Sequence, residues 1–171
     1  MSKRPLHLVG CGLDSHEIIK NLGNESAKAK PLMLGGKVVS EAYCPVAHSD
    51  GDSVYHAIVN ALLLALGERD IGYHFPDTDP NYSGVASEKM LKRALEFVKD
   101  RKYAVNNVTV MITAAEPKIG PHVDDMKSNI AMILGIDKEQ VGIGATRGEG
   151  LSKQDGVMGI QTVAMVSLIS L

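Results

Sequence analysis

The sequence has no tryptophan, and aromatic residues make up only 4% of its 171 positions. That is too few to build stacked platforms for nucleobases. Neither sign of charge dominates: 18 Lys+Arg stand against 20 Asp+Glu, a formal net charge of −2. The basic footprint that binds nucleic acid or an anionic membrane is missing. The two cysteines, Cys11 and Cys44, are not paired as C-x-x-C, which argues against a disulfide scaffold and for a reducing compartment. No apolar run reaches membrane-span length; the longest helical one, Ala57 to Leu66, contains Asn60 and ends at Gly67. Residues 1–5 carry neither a hydrophobic signal core nor an Arg/Ser-rich presequence. The expectation is a cytoplasmic protein, or a plastid-type organellar one whose transit peptide was removed. What remains is an ordinary globular composition, 44% hydrophobic and 22% charged, and a single domain over residues 1–171.

Hydrophobic periodicity orders the chain. Pro5 to Cys11 predicts a short first strand ending at Gly10 and Gly12. Glu17 to Lys30 is polar and mixed, and reads as a surface insertion. Leu32 to Ser40, with Gly35-Gly36 at its centre, predicts a hairpin or a bulged strand pair. Val54, Ala57, Ile58, Ala61, Leu62 and Ala65 form one helical apolar stripe, with Asp50, Asp52 and Ser53 as N-cap candidates. Further helices are predicted from Ser87 to Lys102, burying Leu91, Ala94, Leu95 and Val98, and from Pro121 to Leu134, burying Met126, Ile130, Ile133 and Leu134. Strands are predicted at Asn107–Ala114, Val141–Ala145 and Val157–Leu171. Strands and helices mixed without strict alternation imply an α+β fold, a mixed sheet with helices on one face. The last strand is apolar at nearly every position from Val163 to Leu168, so the other face needs a cover, most simply a partner subunit.

Five constellations carry potential chemistry. Asp14 and His16 are two apart at a strand end and point the same way, a two-point metal clamp. Taken alone, a polar turn with a capping aspartate is the simpler reading. His48-Ser49-Asp50-Gly51-Asp52 is followed by His56, which lies off the apolar stripe and is free to face a cleft. Capping explains one or two of these residues, but two histidines and two acids in nine positions strain it. Asp70-Ile71-Gly72 precedes Phe75-Pro76-Asp77-Thr78-Asp79-Pro80, a rigid polar loop that a structural turn also explains. Ala114-Ala115-Glu116-Pro117-Lys118 follows a strand; its small residues admit a flat group, and Lys118 offers a phosphate a point charge. Thr146-Arg147-Gly148-Glu149-Gly150 follows the next strand, where Arg and Glu suit phosphate and metal.

In this order and spacing, GLDSH, HSDGD with His56 beyond it, DIG and FPDTDP resemble the 2-C-methyl-D-erythritol 2,4-cyclodiphosphate synthase family. The resemblance covers the chain after Pro5, apart from the insertion. It implies a homotrimer of α+β subunits with active sites between neighbours. The implied reaction closes 4-diphosphocytidyl-2-C-methyl-D-erythritol 2-phosphate into a cyclic diphosphate and releases CMP, in non-mevalonate isoprenoid synthesis. It makes Asp14, His16 and His56 the ligands of Zn²⁺ or another divalent transition metal. Asp14 and His16 would thereby also border the substrate. His48 and Ser49 would meet the erythritol phosphate. Asp70, Ile71 and Gly72 would contact methylerythritol, with Asp77 and Asp79 lining that side. Ala114, Ala115, Glu116, Pro117, Lys118 and Ile119 would form the cytidine pocket. Thr146 would contact phosphate, and Glu149 would hold a Mg²⁺ or Mn²⁺ bridging substrate phosphates. Catalytic roles would thus fall to His48, Ser49, Asp70, Thr146 and Glu149.

The chemistry agrees with the residues. A substrate phosphate oxygen is already ionised at neutral pH, so positioning and charge neutralisation suffice without a Ser or Cys triad. Near the C-terminus the chain departs from the family. T-T-T-E is replaced by Thr146-Arg147-Gly148-Glu149, and an ungapped reading replaces R-G-E-G by Gly156-Val157-Met158-Gly159. Arg147 then either contacts a substrate phosphate, pairs with Glu149, or faces solvent. An Arg/Glu ring in the trimer's central channel is not expected. Two other functions compete: a degenerate homologue that binds metal and cytidine nucleotide but turns over poorly, and a metal-dependent phosphatase.

Overall fold

A computed structural model describes residues 6–21, 30–76, 78–79, 85–150, 153–154 and 157–171. Strand β1 (His7–Lys20) pairs antiparallel with the C-terminal β8 (Val157–Ser170) along twelve positions, from His7 opposite Ile169 to Ile18 opposite Met158. β8 pairs antiparallel with β5 (Tyr103–Ala114), and β5 pairs parallel with β6 (Val141–Thr146). The short β4 (Tyr43–Pro45) borders β1, giving the order β4-β1-β8-β5-β6, and β7 (Lys153–Gln154) adds to β8. β2 (Leu32–Leu34) and β3 (Lys37–Ser40) form the predicted hairpin, with Gly35 and Gly36 both at positive φ. Helices α1 (Ser53–Ala65), α2 (Ile71–His74), α3 (Ser87–Asp100) and α4 (Val123–Leu134) complete the α+β fold.

β1 is twice as long as the sequence pattern predicts, and it runs on through Lys20. Asp14 and His16 therefore sit inside the strand, not at its end. The segment set apart from Glu17 begins later, and residues 22–29 of it lie outside the described residues. The pattern misleads because Gly10 and Gly12 look like punctuation. Their reason is close approach: a Cβ on Gly12 would stand 2.1 Å from the Ala57 carbonyl oxygen, and one on Gly10 would stand 2.0 Å from that of Ala61. α1 rests on the bare backbone of β1 through Ala57, Ala61 and Ala65. Both neighbours are backbone and cannot swing aside. Gly12→Ala is thus expected to cost about 3 kcal/mol of stability by overpacking, read as a shift in denaturant midpoint. An unchanged midpoint would show that α1 does not rest on the strand.

α1 is buried almost all round. The predicted stripe is buried, but so are Tyr55, Val59 and Leu63, leaving Leu64 as its exposed apolar residue. The helix is wedged between the sheet and α3, so one stripe understates it. Its cap is Asp52, whose carboxylate accepts from Val54 N and Tyr55 N, both at 3.1 Å, and from Gly35 N and Gly36 N at 2.8 and 2.7 Å. One carboxylate thus ties the β2–β3 turn to the start of α1. Its burial pushes the carboxyl above the usual range, against the pull of these backbone donors.

β5 starts at Tyr103, not Asn107, because a bulge between Val105 and Asn107 resets its inside–outside alternation. α3 ends two residues earlier than Lys102, with Arg101 as its C-cap. α4 begins after a 3₁₀ turn at Gly120–His122 and buries Met126, Ile130, Ala131 and Leu134, while Ile133 is only partly covered.

α1, α3 and α4 pack against the sheet, on the face where Ile160, Thr162, Ala164, Val166 and Leu168 of β8 are buried, and α2 packs against α1. The opposite face is open and apolar. Val9 is 65% exposed, Leu13 52%, Met111 51% and Met165 49%. The register puts Cys11, Met165 and Thr109 in one row across three strands, and Leu13, Val163 and Met111 in the next.

Candidate metal centre and nucleotide cleft

Residues two apart on a strand share a face, and on β1 that face lies under α1. Asp14 and His16 therefore point at the first turn of α1, where His56 meets them. His16 Nδ1 is 2.7 Å from Asp14 Oδ2, and His56 Nδ1 is 3.7 Å from the same oxygen. One ligand atom from each residue falls within 4.8 Å of the others. Among the described residues, Asp14 Oδ2 and His16 Nδ1 are buried without a hydrogen-bond partner. The short His16–Asp14 approach is an ion-pair contact without hydrogen-bond alignment. Two orphaned lone-pair atoms converging beside an imidazole fit a divalent cation. Burial opposes ionisation of Asp14, but the neighbouring His16 and His56 imidazoles outweigh it and hold its carboxyl below the usual range. The ligand set is thus an anion and two imidazoles, which suits zinc and its neighbours.

Two of the three, His16 and His56, line a cleft of about 350 Å³ with Ser15, Val46, Ala47, His48, Ser49, Ile71, Gly72, Phe75 and Met90, whereas Asp14 is not among the lining residues. His16, His48, Ser49, His56, Ile71 and Gly72 come together as the sequence predicts. Asn60, which interrupts the apolar run of α1, explains how: its Nδ2 donates to Leu13 O at 3.2 Å and its Oδ1 accepts from Ile71 N at 2.9 Å. It fastens the Ile71-Gly72 turn to the strand that carries Asp14 and His16. Asp70 is not among the lining residues; its Oδ1 caps α2 by accepting from Tyr73 N at 3.0 Å. Asp79 does not line the cleft either, and Asp77 lies outside the described residues. Phe75 of the 75–80 motif enters the lining, and so does Met90, which no motif marks because an apolar wall has none.

A second cleft of about 350 Å³ lies at the ends of β5 and β6, lined by Ala114, Pro117, Lys118, Ile119, Gly120, Pro121, Val123, Ala145, Thr146 and Arg147. Most of the predicted cytidine residues meet Thr146 and Arg147 here, because parallel pairing sets Thr113 beside Thr146. Ala115 and Glu116 do not line it. Arg147 makes an ion pair with Glu116 at 3.9 Å, a partner that was not expected. Glu149 is exposed, at φ 49° in the 148–150 turn, and lies outside both linings. The two clefts share no lining residue. Across β8, His16, Ile160 and Ala114 occupy one row, so His16 and Ala114 stand about 10 Å apart by strand spacing.

Comparison with known proteins agrees. The 2-C-methyl-D-erythritol 2,4-cyclodiphosphate synthase of Aquifex aeolicus (strain VF5) is 38% identical over 94% of this chain and 97% of its own. That of Syntrophus aciditrophicus (strain SB) is 40% identical over 92% of this chain and 96% of its own. A solved structure of such a synthase in its CDP-bound form superposes with a TM-score of 0.83 at 32% identity, covering 94% of this chain and 99% of that one. The family model YgbB matches residues 7–169. With most of its length aligned to these relatives in sequence and in fold, the chain belongs to the YgbB family, together with the 2-C-methyl-D-erythritol 2,4-cyclodiphosphate synthases.

Proposed function

We propose that this chain cyclises 4-diphosphocytidyl-2-C-methyl-D-erythritol 2-phosphate to 2-C-methyl-D-erythritol 2,4-cyclodiphosphate and releases CMP. It is an isoprenoid-pathway lyase acting on a phosphorus–oxygen bond. The observation that carries the reading is the Asp14–His16–His56 convergence, with its orphaned Oδ2 and Nδ1 atoms, at the rim of a cleft lined by His48 and Ser49. Relatives of the same name match nearly the whole chain.

The reaction makes one P–O bond and breaks another. An oxygen of the 2-phosphate attacks the diphosphate phosphorus nearer the erythritol, and the bond to the CMP phosphate breaks. No net proton transfer is needed, so the chain's task is to orient and neutralise. When bound, a zinc-like cation at the triad would supply Lewis-acid neutralisation of phosphate charge. Ile71 and Gly72 offer backbone to the methylerythritol, and the family resemblance assigns Asp70, Asp77 and Asp79 to the same side. His48 and Ser49 face the phosphate. Ala114 to Ile119 take the cytosine, and Lys118, Thr146 and Arg147 meet the phosphates at the other end. Glu149, exposed beside that cleft, would hold a Mg²⁺ or Mn²⁺ carried mainly by substrate oxygens.

The two clefts are halves of one site. We read the assembly as a homotrimer, its open sheet faces turned inward, in which one chain's metal cleft abuts its neighbour's nucleotide cleft. The exposed apolar residues Val9, Leu13, Met111 and Met165 on that face support the contact. The domain spans the whole chain, and its setting is the cytoplasm or a plastid-type organelle. No helix among the described residues is long and apolar enough to cross a membrane. A zinc-edge anomalous map of crystals soaked with CMP tests this arrangement. A peak at Asp14, His16 and His56, with cytosine against 114–119 of the adjacent chain, is the expected result. A peak elsewhere contradicts it.

A further inference from the structure

His56 is gripped on both sides of its ring. Nδ1 faces Asp14, while Nε2 lies 2.8 Å from Ser87 Oγ. Ser87 is fully buried and opens α3. Its backbone N donates to Asp50 Oδ2 at 2.9 Å, and its hydroxyl donates to Asp50 Oδ1. Proton accounting then decides the ring. A serine hydroxyl has one proton, and a carboxylate only accepts. With that proton committed to Asp50, Ser87 Oγ must accept from His56 Nε2–H. Ser49 Oγ, 3.4 Å from the same Nε2, is a more distant neighbour and itself accepts from Gly51 N. His56 is left with a bare Nδ1 lone pair aimed at Asp14 and His16.

We infer that Ser87 and Asp50 are positioning residues for the metal centre, a relay that locks the tautomer and ring orientation of His56. The inference rests on reading Asp14, His16 and His56 as metal ligands. A carboxylate behind a ligating imidazole raises its basicity and fixes which nitrogen is free; here a serine extends that reach by one hydroxyl. The relay joins three elements: the loop before α1, the first turn of α1 and the first turn of α3. It also gives Asp50 a second task, since the same carboxylate caps α3 rather than α1.

The test uses the full chain. Zinc affinity is measured by chelator competition, and the His56 tautomer by ¹⁵N NMR of zinc-free protein. Ser87→Ala is expected to weaken zinc about 10- to 100-fold, and to turn a single Nε2–H tautomer into a mixture while circular dichroism is unchanged. Asp50→Asn, which keeps the side chain's volume, is expected to change both readouts in the same direction. A helix-packing role alone would not move the tautomer. If both variants keep wild-type affinity and tautomer while His56→Ala loses zinc, the relay is overturned and the metal centre stands. If His56→Ala keeps its zinc, the metal reading itself falls.

Discussion

Replacing His56 with alanine is expected to leave a folded protein that neither retains zinc nor turns over. His56 is 8% exposed and lines the cleft, so the truncation removes a ligand at the cleft wall without opening the hydrophobic core. Asp14 and His16 would remain as a two-point clamp on one strand, too few donors to hold the ion tightly. Loss of Lewis-acid neutralisation removes about 4 kcal/mol of transition-state stabilisation, or about 1,000-fold in rate. Metal content by atomic emission and kcat/KM should fall together. Unchanged zinc stoichiometry in the variant would refute the ligand assignment.

The second large effect is expected from the open face of the sheet. Met165 sits at the middle of β8, flanked by Cys11 on β1 and Thr109 on β5. On this account that row is buried between chains. Met165→Glu would place an unpaired carboxylate there, at a cost of several kcal/mol per chain, roughly 3 to 5 when a buried charge lacks a partner. Light scattering should show the wild type as a trimer and the variant as a monomer. Activity should fall to background in the variant although every cleft residue is intact, because each chain then holds only half of a site. A wild-type monomer at micromolar concentration, or a monomeric variant with full activity, would contradict the shared site.

How far the sequence could be read depends on which residues are considered. The α3 positions Leu91, Ala94, Leu95 and Val98 are all buried, since a helix covering one face of a core has a clean period. α1 was legible only in part, because a helix buried on all sides has no stripe to find. The bounds of β1 and β5 failed for two different physical reasons. In β1, Gly10 and Gly12 mark where α1 touches the backbone, and local propensity cannot distinguish that from a turn. In β5, the Asn106 bulge reverses the alternation that defines a half-buried strand. The site's named residues were legible because their motifs hold them at fixed spacing: His16, His48, Ser49, His56, Ile71 and Gly72 do share a cleft. Ser87 was not. It stands 31 positions from His56, and a serine at a helix start has an adequate local explanation. Asp70 shows the converse, with a carboxylate occupied by its own cap in this structure. Arg147 meets Glu116 across two strand ends, a pairing visible only once β5 and β6 lie parallel.

Cyclisation of the cytidylyl substrate is the step on which the roles of all these residues depend. It is tested most directly by ³¹P NMR of 4-diphosphocytidyl-2-C-methyl-D-erythritol 2-phosphate incubated with the zinc-loaded protein and Mg²⁺. Equimolar CMP and 2,4-cyclodiphosphate are expected, with neither formed in the His56→Ala variant. Substrate that persists unchanged despite bound zinc and CMP would instead describe a binding protein, and release of inorganic phosphate would describe a phosphatase. Either result would contradict the account.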